Sequence, residues 1–186
     1  ATITAGLTEL RDAMGSQRST SAPPDLSKLT VLHGPFSKGL KELIEVADIE
    51  AALRRDRLKI KAGDSVLVYT DHYRRHYNDA DWPNGPGISA AVATWFGEKK
   101  IAAFGVETRS PGVIGVSNKQ VHTIGGEMGY SHYENLINLH LLVGQGRFRF
   151  VALPLKIRGG TGSPVRGFLP FRGDLLRTEN VPKCTI

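Results

Sequence analysis

Residues 122–139, "HTIGGEMGYSHYENLINL", set His122 and Glu134 twelve positions apart, with Gly125, Gly126, Gly129 and His132 between them. An imidazole and a carboxylate that converge on one point suit zinc or manganese. Two ligands share a helix face at spacings of three or four, so twelve is too many. The three glycines also argue against an unbroken helix. The expected geometry is a folded-back segment that brings His122 and Glu134 together from its two ends. His132, two residues before Glu134, competes with His122, because on a strand it shares Glu134's face. A satisfied surface or core histidine is the preferred account of His132. Spacing alone leaves the metal reading the lesser one, since most His and Glu residues simply face solvent.

A second chemistry-bearing stretch is "DHYRRHYNDADWPNGPG", rich in aromatics, His and Asp. It is expected to be a long loop rather than an element, at the C-terminal end of a strand, where open α/β sheets place ligands. His72 and His76 are four apart and would share a helix face, so with Asp71 they form an alternative ligand set.

The elements that position these groups are readable in outline. "DLSKLTVLH" predicts a short strand, and "EVADIEAALRRDR" a helix with Val46, Ile49, Ala52 and Leu53 on its apolar face. A turn at Gly63-Asp64 leads into a buried strand, Ser65 to Thr70. Ser89 can cap a helix over "SAAVATWFGEK". "IAAFGVE" is another buried strand, "ENLINLHLL" a packed turn or short helix, and "RFRFVALPLK" a long strand before the turn "RGGTGSP". Alternating strands and helices predict one α/β domain with a mixed sheet over 25–186, preceded by a flexible arm over 1–24.

The chain has 186 residues and a net charge of +6, with a pI of about 9.6. That balance raises nucleic acid as a partner. The densest basic run, Arg54 to Lys61, ends a predicted helix, and the other charges are scattered. "RFRF" alternates as a half-exposed strand does, so a solvated basic face is the better account. Cys184 is the only cysteine, which excludes an internal disulfide and a cysteine metal cluster and fits a cytoplasmic protein. No apolar run reaches the roughly 18 to 20 residues of a membrane span, and the N-terminus has no secretory pattern. The chain opens on Ala1, so a processed chain or a stretch of a longer product is expected.

Four ordered blocks, "IAAFGVETRSPG", "NKQVH", "YENLINL" and "VALPLKIRGGTGSPVRG", together with "IEAALRRDRLKIKAGDSVLVYTD", resemble the metal-dependent cyclase-like hydrolases, such as bacterial kynurenine formamidase, isatin hydrolase and trans-dienelactone hydrolase. The likeness covers roughly residues 40–170. It implies a swivelling β/β/α-type fold and assembly as homo-oligomers, dimers or tetramers. It implies a small-molecule substrate with a planar ring, a cyclic or aryl amide or lactone, whose carbonyl is attacked by metal-activated water. It implies zinc or manganese held by a His and a Glu twelve apart, here His122 and Glu134. The resemblance also makes the loop a pocket wall, with His72, Tyr73, Tyr77 and Trp82 facing the ring and the "GGTGSP" turn bringing Ser163 near. The family's main metal motif, His-x-Gly-Thr-His-x-Asp, occurs nowhere in this chain. His33 is the only histidine before His72, so no general base is assigned. The missing part is then carried by a separate chain or a longer product, or the scaffold is a non-catalytic half-site, or Asp71, His72 and His76 substitute.

Overall fold

Val66, Leu67 and Val68 are fully buried, and so continuous an apolar run marks a strand covered on both faces. It forms β3, Ser65–Val68, the centre of a five-stranded sheet. The computed structural model describes residues 29–32, 36, 38–165 and 167 of the chain. The expected arm over 1–24, His33 and Cys184 lie outside them.

In chain order the strands are β1 Leu29–Leu32, β2 Leu43–Ile44, β3, β4 Gly87–Ile88, β5 Ala103–Val106, β6 Ser131–Tyr133 and β7 Arg147–Phe148. The helices are α1 Val46–Arg55, α2 His72–His76, α3 Ala90–Glu98 and α4 Asn118–Met128. The main sheet runs β6-β5-β3-β1-β7. Its first four strands are parallel and β7 is antiparallel to β1, so the sheet is mixed, as expected. β2 and β4 form a separate parallel ladder.

Alternation along the strands sorts two cores. Val66, Val68, Phe104 and Val106 face α1, α3 and α4 through Ile49, Ala52, Val92, Phe96 and Val121. Leu67 and Tyr69 face the other way, onto Leu139, Phe150 and Ala152. Helix starts follow local chemistry. Asp48 Oδ2 accepts the Glu45 N–H at 2.8 Å at the head of α1, and Ser89 Oγ accepts the Val92 N–H at 3.3 Å at the head of α3, as predicted.

Two expectations need correcting. "RFRFVALPLK" is not one long strand: the ladder ends at Phe148, and beyond it Val151 and Pro154 make isolated bridges, Pro154 with Val165. Pro154 has no N–H to offer a ladder, and Leu153, Leu155 and Ile157 are exposed, so among the described residues no continuous partner holds the segment flat. The aromatic stretch after β3 is also more ordered than a loop, containing α2, a 3₁₀ turn at Trp82–Asn84, and β4. Among the described residues no helix is long and apolar enough to cross a membrane.

Candidate metal centre

α4 begins after Ser117, whose buried hydroxyl donates to the Ile88 carbonyl at 2.8 Å and accepts the Val113 N–H. The helix runs unbroken through Gly125 and Gly126 to Met128, contrary to the expectation from its glycines. Gly125 is tolerated because its bare Cα admits the Tyr130 ring, which an added Cβ would approach at 3.3 Å. Only Gly129, in the left-handed region at φ 76°, ends the helix. The chain then reverses into β6, clamped by the Tyr130 hydroxyl donating to the Ala93 carbonyl at 2.7 Å. Burial pushes that phenol up to about 12.

This helix–turn–strand reversal is the folded-back segment the spacing demanded. It sets His122 Nε2 3.5 Å from Glu134 Oε1. His132 Nε2 lies 3.2 Å from the same oxygen, and the two imidazoles meet edge to face at 4.6 Å. His132 is opposite Phe104 in the β5–β6 register and its ring stacks there at 5.6 Å. Glu134 is held from behind: Asn135, in the left-handed region at φ 54°, donates to the Thr108 carbonyl, and Leu136 donates to Val106. Gly105 leaves the space that Leu136 occupies over β5, where a Cβ would stand 2.7 Å from Leu67 Cδ2. All three side chains are partly exposed, so their ligand atoms are open to solvent.

Ligand atoms about 2.1 Å from a tetrahedral ion stand roughly 3.4 Å apart. The His122–Glu134 separation of 3.5 Å fits that, and the donors are of the right chemistry.

The aromatic stretch places its residues differently. Tyr73, Tyr77 and Trp82 cluster, with ring centroids 4.5 to 5.7 Å apart. His72 is buried between the His76 and Trp82 rings, at 4.8 and 5.6 Å. Its Nε2 lies 3.1 Å from the Trp82 carbonyl, while Nδ1 has no hydrogen-bond partner among the described residues. Its side chain therefore braces the loop from within. Burial holds its imidazole below the usual histidine range. Asp71, His72 and His76 do not converge as a ligand set: Asp71 accepts the Tyr69 hydroxyl at 2.6 Å and pairs with Arg74 and Arg75. His76 instead meets Asp79 and Asp81.

Glu107, which composition and spacing did not single out, organises this loop. Its Oε1 accepts the Thr70 N–H, the Thr70 hydroxyl and the His72 N–H at 2.8, 2.6 and 2.8 Å. Burial raises its carboxyl above the ordinary value despite those donors. The only hint in sequence was a carboxylate ending an apolar strand. Ser163 is engaged inside its own segment, accepting the Leu155 N–H at 2.9 Å. Arg147 of "RFRF" pairs with buried Asp64. An open cleft of about 290 Å³ is lined by Lys41, Pro83, Asn84, Gly85, Arg109 and Ile114, and none of the three metal-competent groups lines it.

The family described as "Putative cyclase" matches residues 26–113. Isatin hydrolase A from Ralstonia solanacearum is similar in structure, with a TM-score of 0.65 and 28% identity over 80% of this chain and 61% of that one. Isatin hydrolase A from Labrenzia aggregata, bound to benzyl benzoate, gives 0.66 and 25% over 78% and 61%. An isatin hydrolase bound to the product analogue thioisatinate gives 0.68 and 22% over 82% and 65%, a likeness of fold. The chain thus spans about three fifths of the length of these proteins. No curated protein matches it in sequence. The family match over residues 26–113 and the fold shared with the isatin hydrolases agree with the cyclase-like resemblance of the ordered sequence blocks.

Proposed function

We propose that the chain serves a metal-dependent hydrolase acting on a cyclic or aryl amide or lactone, with His122 and Glu134 holding a divalent zinc or manganese ion. The observation that carries this is the meeting of His122 Nε2 and Glu134 Oε1 at 3.5 Å across twelve positions of sequence. Held there, a divalent ion supplies Lewis acidity toward a carbonyl and makes water acidic enough to attack near neutral pH. The chain's own residues supply position. Leu136 and Asn135 fix the Glu134 backbone against β5, and the β6 reversal presents His122 from α4. Tyr73, Tyr77 and Trp82 offer an apolar wall for a planar ring. The reading is tested by measuring hydrolysis of isatin and of N-formyl-arylamines by metal-stripped protein, alone and with zinc or manganese. Turnover that returns with either ion supports it, and inert protein at full metal occupancy refutes it.

A second reading, a non-catalytic or half-site subunit on the same scaffold, is favoured by the absence of any His-x-Gly-Thr-His-x-Asp string in the 186 residues. It predicts a well-folded homo-oligomer that gains activity only when a second chain supplies the missing ligands.

A further inference from the structure

We propose that His132 is a third ligand of the same ion, so that residues 122–134 alone form a two-histidine, one-carboxylate set that binds zinc without help from any other part of the protein. The inference rests on the reading of His122 and Glu134 as ligands and extends it to a residue whose preferred account from sequence was structural.

Three observations carry it. His132 Nε2 is 3.2 Å from Glu134 Oε1, on the same oxygen that His122 approaches at 3.5 Å. One ligand atom from each of the three residues falls within 4.8 Å of the other two. A single hydrogen bond to Glu134 needs only one imidazole, yet two are directed at one oxygen from different elements, α4 and β6. The His132 ring is also pre-set: its stack on buried Phe104 leaves Nε2 on the Glu134 side. Two imidazoles and one carboxylate, with a fourth position open, make a donor set that suits catalytic zinc.

The test uses the full chain, stripped of metal and titrated with zinc chloride against a chromophoric chelator. Zinc X-ray absorption then counts the bound imidazoles. Wild-type protein should take up one zinc with two imidazoles. His132→Gln should weaken binding beyond the roughly 10- to 100-fold that loss of an outer partner costs, and leave one imidazole. His132→Phe, which keeps the stack on Phe104, should behave the same, and thermal unfolding without metal confirms that both variants fold. Unchanged affinity in both variants, with binding lost in His122→Gln and Glu134→Gln, overturns the inference and leaves the two-ligand reading standing. A wild-type chain that takes up no zinc overturns both.

Discussion

Glu107, at the end of β5, and His72, at the start of α2, are joined by a hydrogen bond from the His72 N–H to Glu107 Oε1 at 2.8 Å. One buried carboxylate oxygen thereby ties the aromatic segment to the neighbouring strand. Because burial raises the Glu107 carboxyl, the sign of its contribution to stability is defined. The contribution is full below the ordinary value of 4.5 and is lost as pH rises through the raised folded value. Glu107→Gln keeps an acceptor without the charge. Denaturant unfolding from about pH 4 to 7 should show a smaller loss of stability with rising pH in that variant. Glu107→Ala orphans three donors and should cost about 3 kcal/mol.

His72 titrates with the opposite consequence. Burial lowers its folded value below 6.5, so the unfolded chain takes up a proton first. Its contribution is full above pH 6.5 and is lost as pH falls toward the folded value. The melting temperature should therefore drop between about pH 7.5 and 5.5, and His72→Phe should reduce that drop. An equal drop in the variant would show that other groups carry the acid sensitivity.

Arg147 and Asp64 join β7 to the turn before β3. Asp64 is fully buried and also accepts the Lys61 N–H at 2.7 Å. Arg147→Ala leaves that carboxylate without its cation and should cost about 3 kcal/mol. Combining it with Asp64→Asn, which keeps an acceptor for Lys61, should recover part of the loss in urea unfolding.

Metal removal should be visible in stability as well as in turnover. With the proposed site, zinc at a hundredfold excess over its Kd should stabilise the folded chain by about 2.7 kcal/mol, on the order of 5 to 10 °C at this size. Chelator should reverse the shift, and Glu134→Gln should abolish it in differential scanning fluorimetry.

Tyr77 is half exposed at 51% and touches Tyr73 and Trp82. Tyr77→Ala should change stability by no more than about 0.5 kcal/mol. In steady-state kinetics it should raise KM for a planar substrate while leaving kcat in place, the pattern of lost ground-state packing.

Local chemistry was legible wherever neighbours in sequence decide the outcome. The Ser89 cap, the apolar face of α1 and the buried β3 and β5 each follow from patterns a few residues long, because capping and periodicity are short-range effects. The pairing of His122 with Glu134 was also foreseen, through the resemblance and the need for a fold-back. Its route was not: Gly125 and Gly126 stay helical because α4 is held by packing on α3 and Tyr130, and that support outweighs glycine's cost of about 1 kcal/mol each. Pro154, which has no N–H for a ladder, likewise shortened the run after Phe148 to isolated bridges. His132 meets Glu134 two residues on along one segment, as strand alternation allowed, but the convergence of Thr70 and His72 on Glu107 depended on which strand lies beside which. That adjacency comes from the β6-β5-β3 order of the sheet, a long-range arrangement that single-chain periodicity does not encode.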